Sequence, residues 1–131
     1  MTIEKSVVRD GPFAQFIPDG VRAGNQIFLS GQVGIDAAGE VVAPGDLVAQ
    51  ARQAYTPVAA TLEKLGAGMG DIVDETFFVT DVSAAMGNIE ALWGVRAEAY
   101  GGDPQVSQTM LEVAGLVMPD LMIEIKVIAV V

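Results

Sequence analysis

The chain has neither cysteine nor histidine, and these two absences remove several classes of chemistry at once. Without cysteine there are no disulfides, thiolate nucleophiles or thiolate metal sites. Without histidine the chain lacks the usual general base at neutral pH and the commonest metal ligand. We therefore expect neither a metal site nor a cofactor.

Basic residues are also scarce, because seven Lys and Arg stand against 17 Asp and Glu, for a formal net charge of −10. The seven are scattered and form no stripe. Nucleic-acid backbones are bound by clustered Lys and Arg, so this balance argues against a nucleic-acid partner. No apolar run approaches the length of a membrane span, and the N-terminus lacks a signal-peptide core. We expect a cytoplasmic protein with no membrane partner.

Aliphatic residues dominate what remains. Hydrophobic residues make up 51% of the 131 positions and aromatic residues only 6%, so the core is expected to consist of Val, Ile, Leu, Ala and Met. The length is sufficient for one domain with a sizeable core, and no linker, repeat or low-complexity tract divides it. The sequence predicts a single domain over residues 1–131.

One long helix is indicated by apolar residues three or four apart between Leu47 and Leu65. Asp46 is the expected N-cap, and Gly66 the expected C-terminal glycine. Pro57 lies inside this segment, so we expect the helix to bend at about residues 53 to 57. A second helix is predicted over 84–100, with Asp81 or Ser83 as its cap.

The remaining apolar segments predict strands. We expect a short edge strand within 11–20, and further strands at 21–23, 26–33, 72–79, 107–114 and 121–130. This order predicts an α+β fold with a mixed six-stranded sheet and two helices on one face. The other face would remain apolar and uncovered, which favours self-association.

Two segments place polar groups inside apolar strands. Ser30-Gly31-Gln32 ends a buried strand, and Glu124 lies between Ile123 and Ile125. Both features suggest a small-molecule cleft. The alternatives are a strand-end turn at Gly31, and a solvent-facing Glu124 that forms an ordinary surface pair with Lys126 on the same face.

Five short segments match one family in order. They are Gly11–Gln15, Gly24-Asn25 with Phe28–Gln32, Gln50–Ala54, Phe78–Asp81, and Ile123–Ile125 with Ile128-Ala129. Through them the chain resembles the Rid family of reactive-intermediate deaminases, also called the YjgF/UK114 family. The resemblance implies a homotrimer of chorismate-mutase-like subunits with three clefts at the subunit interfaces. Typical members hydrolyse 2-imino and enamine acids to 2-keto acids and ammonia.

The resemblance also implies roles for individual residues. Glu124 matches a glutamate of the last strand that helps position the attacking water, and it is the expected catalytic residue. Ser30 and Gly31 match a pair of residues that line the cleft. Phe13 stands where the family has a tyrosine, and therefore lacks the hydroxyl.

The main departure lies on the penultimate strand, where an arginine of the family clamps the substrate carboxylate. That position holds Gln108 here, followed by Thr109, and both are expected to bind substrate. Either the substrate lacks an α-carboxylate, or another cation replaces the arginine, or the activity is lost. Arg22 and Arg96 are the candidate replacements, although each is more simply a surface residue. Asn88 lies near, but out of register with, an asparagine of the family.

Two functions follow as hypotheses. The first is hydrolysis of an imine or enamine other than a simple 2-imino acid to a carbonyl compound and ammonia. The second is a non-catalytic trimer of the same fold that binds a metabolite or partner. An older endoribonuclease label for this family finds no support in a chain without histidine or a basic patch.

Overall fold

The computed structural model describes residues 2–131 and confirms the α+β architecture with a mixed sheet. Its strands are β1 Lys5–Val8, β2 Gly20–Ala23, β3 Gln26–Leu29, β4 Gln32–Val33, β5 Ile72–Val79, β6 Ser107–Glu112 and β7 Ile123–Val130. The α-helices are α1 Leu47–Lys64, α2 Val82–Gly87 and α3 Ile89–Tyr100, and a 3₁₀ helix covers Met69–Asp71. Among the described residues, no helix is both long and apolar enough to span a bilayer.

The sheet has the strand order β1-β2-β3-β7-β5-β6, and β4 pairs with β7 beyond the end of β3. All neighbouring strands are antiparallel except β5 and β6, which are parallel and are joined through α2 and α3. Strand β7 therefore lies in the middle, with β3 and β4 on one side and β5 on the other.

Strand β7 shows the two-residue period that organises the layers. Ile123, Ile125, Val127 and Ala129 are buried in the core against the helices, while the intervening side chains, Glu124 and Lys126 among them, are partly exposed. Because successive side chains point to opposite faces of a strand, these two polar residues lie on the face without helices.

Helix α1 follows the sequence prediction closely. Asp46 is its N-cap, with its carboxylate accepting a hydrogen bond of 3.0 Å from the Ala49 amide. Gly66 follows the last turn with a φ of 82°, a left-handed conformation that glycine adopts without strain. Pro57 lies within an uninterrupted helix, so it removes one backbone donor but does not end the helix.

Three expectations about the elements are corrected. The edge strand is Lys5–Val8 rather than part of 11–20, where Ala14 instead bonds back to Gly11 in a turn. The strand predicted at 26–33 is interrupted at residues 30 and 31, which gives seven strands rather than six. The helix predicted at 84–100 is divided at Asn88 into α2 and α3.

Helices and sheet meet at a fully buried carboxylate, Glu75, on β5. Its Oε1 accepts a hydrogen bond of 2.6 Å from Arg96 Nε, and its Oε2 accepts bonds of 2.7 Å from Tyr55 and 2.8 Å from Tyr100. Burial and the carboxylate raise the pKa of both tyrosines, so they remain protonated donors. We call these four residues the Glu75 cluster. Arg96 is thus a buried ion-pair partner and not a surface residue.

A second buried amide joins α1 to the start of β7. Gln50 accepts a hydrogen bond of 2.8 Å from the Met122 amide and donates bonds of 3.0 Å and 3.3 Å to the carbonyls of Asp120 and Ala43. All three of these hydrogen bonds are made with loop backbone, and the residue is fully buried. Gln50 therefore sets where the loop before β7 meets the helix layer.

Replacing Gln50 with Met keeps the volume but leaves the backbone groups of this loop without their partner. We expect Gln50→Met to lower the free energy of unfolding by about 3 kcal/mol, because each buried group left unsatisfied costs about 1–3 kcal/mol. Urea unfolding followed by circular dichroism measures this. Arg52→Met on the exposed side of α1 is the control and should stay within about 0.5 kcal/mol of wild type. Equal losses in the two variants would contradict the role given to Gln50.

Candidate functional site

The interruption between β3 and β4 brings Gly31 against Glu124. A Cβ atom on Gly31 would lie 2.5 Å from Glu124 Cδ and 2.8 Å from its Cγ, which is closer than packed carbon atoms approach. The register that pairs Val33 with Glu124 sets this approach. Only glycine at position 31 leaves room for the Glu124 side chain. Gly31 therefore does more than form a turn at the end of the strand.

The Glu124 side chain lines an apolar cavity of about 340 Å³. Its other lining residues are Phe13, Phe16, Ile17, Gly31, Val33 and Val117. A second cavity, of about 260 Å³, lies beside it and shares Phe13, Ile17, Gly31 and Val33, with Ser30 in its wall. We call the two together the Glu124 cleft. It brings four of the predicted site residues together in one chain.

The Ser30 hydroxyl is committed to the loop that carries Phe13. Ser30 Oγ donates a hydrogen bond of 2.7 Å to the Pro18 carbonyl, and its amide donates to the Asp19 carbonyl at 2.9 Å. The Asp19 carboxylate in turn accepts from the amides of Asp10 and Gly11 at 2.7 Å and 2.8 Å. Ser30 therefore holds the cleft wall in place and leaves its hydroxyl oxygen as an acceptor only.

The Glu124 carboxyl is half-buried, and this burial raises its pKa above the ordinary value for glutamate. The nearby Lys126 ammonium lowers the pKa and so offsets part of the effect. Lys126 also donates a hydrogen bond of 2.8 Å to the Leu29 carbonyl, which holds it on the face predicted from the alternation. A carboxyl group of raised pKa in an apolar cavity is suited to take up and return a proton.

Gln108 and Thr109 lie elsewhere. Both are on the edge strand β6, where Gln108 pairs in register with Glu75 on the helix-covered face and Thr109 pairs with Thr76 on the open face. Neither lines either cavity of the Glu124 cleft. Within one chain the predicted site is therefore divided into two separate parts.

The candidate replacement cations do not reach the Glu124 cleft in this chain. Arg22 donates hydrogen bonds to the carbonyls of Leu65 at 2.8 Å and Gly24 at 3.0 Å, and so ties β2 to the end of α1. Arg96 is bound to Glu75. Asn88 caps α3, and its amide donates to the Ala84 carbonyl at 2.8 Å.

Sequence reasoning did not find all the cleft residues. Phe16, Ile17 and Val117 are apolar loop residues without a periodic pattern, so only their position in space identifies them. Among residues 2–131, no three His, Cys, Asp or Glu side chains come together in a way that could hold a metal ion.

Comparisons with known proteins agree on one family. Residues 8–131 match the family model described as endoribonuclease L-PSP. A RutC family protein of Pyrococcus horikoshii is 33% identical over 119 residues, which cover 91% of this chain and 86% of that protein.

Solved structures give the same result. The YjgF gene product of E. coli is 35% identical over 95% of each chain, with a TM-score of 0.78. YyfA of Yersinia pestis, a protein of unknown function from the Rid family, is 26% identical over 98% of this chain and 100% of its own, with a TM-score of 0.84.

The raised pKa of Glu124 has a consequence for stability. The folded chain binds the carboxyl proton more tightly than the unfolded chain does, so the ionised form weakens folding at high pH, and this penalty disappears once both states are protonated. We expect Glu124→Gln to melt above wild type at pH 8. The difference should vanish as the pH falls below the ordinary pKa of glutamate, about 4.3. Thermal melts followed by circular dichroism across this range measure it.

Glu63→Gln is the matched control, because it is the same chemical change at an exposed position of α1. Identical pH dependence in the two variants would contradict the environment described for Glu124.

Proposed function

The chain belongs to the endoribonuclease L-PSP family, which contains the YjgF and Rid proteins, and we propose that it is a hydrolase that deaminates an imine or enamine. The observation that carries the proposal is the Glu124 carboxyl, half-buried in an apolar cavity and in close contact with Gly31. Its raised pKa suits a group that takes a proton from water and gives one to a leaving nitrogen.

The proposed reaction adds water across the carbon–nitrogen double bond. Glu124 accepts a proton from water as the water oxygen bonds to the carbon of the protonated imine, which gives a neutral carbinolamine with hydroxyl and amino groups on one carbon. Glu124 then returns this proton to the nitrogen, and the carbon–nitrogen bond breaks to release ammonia. The hydroxyl proton passes back to the Glu124 carboxylate as the carbonyl group forms, and leaves from there as ammonium. Backbone groups near Ser30-Gly31 and Thr109 hold the substrate, and Phe13 contributes an apolar wall.

The proposed substrate lacks an α-carboxylate. Gln108 offers a neutral amide where the family has an arginine, and replacing a charge-assisted pair with neutral hydrogen bonds costs about 1–2 kcal/mol. The formal net charge of −10 adds repulsion of anions, which salt screens in part.

We also propose that the single domain assembles into a cytoplasmic homotrimer with the site completed between subunits. The divided site supports this, because Gln108 and Thr109 lie at the sheet edge, away from the Glu124 cleft. Exposed apolar side chains support it further, since Phe16 at the cleft is 77% exposed and Val117 is 66% exposed. Large apolar groups of this kind are usually covered by another protein surface. Neither nucleic acid nor membrane is a proposed partner.

A second candidate function is a non-catalytic trimer that binds a metabolite or partner in the same cleft. Two substitutions favour it: Gln108 removes the cation, and Phe13 removes the hydroxyl of the family's tyrosine. Cleavage of RNA, to which the family description refers, is not proposed, because the seven basic residues form no stripe.

The trimer has a direct test in solution. We expect light scattering after gel filtration to give three times the mass of the chain, because the exposed apolar surface around Phe16 and Val117 needs a partner. Replacing Val117 with Asp should weaken assembly, whereas Met86→Asp, at an exposed position of helix α2, should leave the trimer intact. A wild-type monomer would remove the interface site from the proposal.

Turnover is tested with a panel of imines generated in the assay, with and without an α-carboxylate. We expect ammonia release from the neutral substrates, and a loss of about 100-fold or more in kcat for Glu124→Gln, as is typical when a general acid–base group is removed. The rate should also fall as the pH drops through the raised pKa of Glu124, because the ionised carboxylate is the base.

Glu63→Gln is again the control, and it should retain the wild-type rate. Turnover that survives Glu124→Gln would contradict the mechanism. Saturable binding of the panel without ammonia release would favour the binding trimer.

A further inference from the structure

Two buried donors near the Glu75 cluster have no acceptor within the chain. One is Arg96 Nη2, on a residue that is only 7% exposed, and the other is Gln108 Nε2 on β6. A buried donor without an acceptor costs free energy, so native structures pair almost all of them. Neither donor is used in the mechanism proposed for Glu124.

Both side chains flank the same carboxylate. Arg96 bonds Glu75 directly at 2.6 Å, and Gln108 pairs with Glu75 in the parallel register of β5 and β6, which directs both side chains to the helix-covered face. Glu75 already accepts three hydrogen bonds, one on Oε1 and two on Oε2. Neither Arg96 Nη2 nor Gln108 Nε2 makes a hydrogen bond to Glu75 or to any other group of the chain, so each needs an oxygen from elsewhere.

The oxygen that is available belongs to Gln108 itself. The amide oxygen and nitrogen of glutamine have nearly the same shape, and rotation by about 180° exchanges them. With Oε1 turned inward, Gln108 presents a buried acceptor in place of its unpaired donor, and its NH₂ group turns away from the cluster. One rotation thus addresses both unpaired donors.

We propose that Gln108 completes the Glu75 cluster as the neutral acceptor for Arg96, and that Arg96 thereby excludes an arginine from position 108. The consequence for the substrate, which rests on the proposed function and its site between subunits, is that this pair determines a preference for uncharged groups over carboxylates in the part of the site that β6 contributes. Arg96 acts as a positioning residue through Gln108, since it does not line the Glu124 cleft.

Charge counting supports this exclusion. The cluster now contains one carboxylate and one guanidinium, with two tyrosines that are neutral. An arginine at 108 would add a second cation beside a single anion in a buried position, where an unpaired charge is strongly unfavourable. Exchanging the two residues keeps one carboxylate, one guanidinium and one amide, and moves the cation from α3 to β6.

The test is a double-mutant cycle of wild type, Arg96→Gln, Gln108→Arg and the exchanged pair, with melting temperatures measured at one protein concentration. We expect each single variant to lose about 10 °C or more, because each unbalances a buried ion pair. The exchanged pair should regain more than half of the summed loss. Gln105→Arg adds the same charge at an exposed position three residues away, and should melt within about 2 °C of wild type.

Binding provides a readout that a purely structural role would not change. Pyruvate serves as the carboxylate probe, and its binding is followed through the backbone amide signals of β6 in heteronuclear NMR spectra. We expect no saturable shift in wild type or in the exchanged pair, whose single arginine is balanced by Glu75. A saturable shift is expected in Gln108→Arg, whose added cation has no carboxylate partner. Propionamide, the uncharged probe, should show the reverse preference.

The outcomes separate this proposal from the proposed function. A melting temperature for Gln108→Arg equal to that of Gln105→Arg, additive losses in the exchanged pair, or pyruvate binding to wild type would each overturn it. Absence of imine turnover would contradict the hydrolase alone, because neither melting nor probe binding depends on catalysis.

Discussion

The alternation of side chains along β7 is the constraint on which the rest of the structure depends. One set of residues, including Ile123 and Ile125, packs under the helices, and the other set carries Glu124 and Lys126 on the open face. A shift of one residue would bury two charges and expose the core. Core and cleft are therefore set by the same register, and pairing of Val33 with Glu124 places Gly31 where the carboxylate needs room.

Patterns that are local in the chain could be predicted from the sequence. Helix α1 with its Asp46 cap, the central strand and the face of Glu124 all follow from periodicity and capping, which need only neighbouring residues. The edge strand at Lys5–Val8 could not be placed in this way, because it is short and depends on pairing with β2. The division of the second helix at Asn88 was also missed, because the apolar spacing continues across it.

The residues that line the Glu124 cleft were predicted only in part, and their geometry was not predicted. Family resemblance pointed to Phe13, Ser30, Gly31 and Glu124, and the fold brings these four to one cleft. Nothing local in the sequence indicates that the Ser30 hydroxyl is used to hold Pro18, or that Arg96 is buried against Glu75, 21 residues earlier. Such contacts arise from packing between elements that are distant in the sequence, and the periodicity of a single element does not predict them.

Two carboxylates in this chain illustrate how environment decides role. Glu75 is fully buried and accepts three hydrogen bonds, so its charge is balanced and its position is determined. Glu124 is half-buried, and its neighbour Lys126 is directed to a backbone carbonyl, so its charge is only partly compensated. A carboxylate whose charge is fully compensated holds a structure together but transfers protons poorly. Burial raises the pKa of Glu124, Lys126 offsets this only in part, and Glu124 is the one of the two that faces an open cavity.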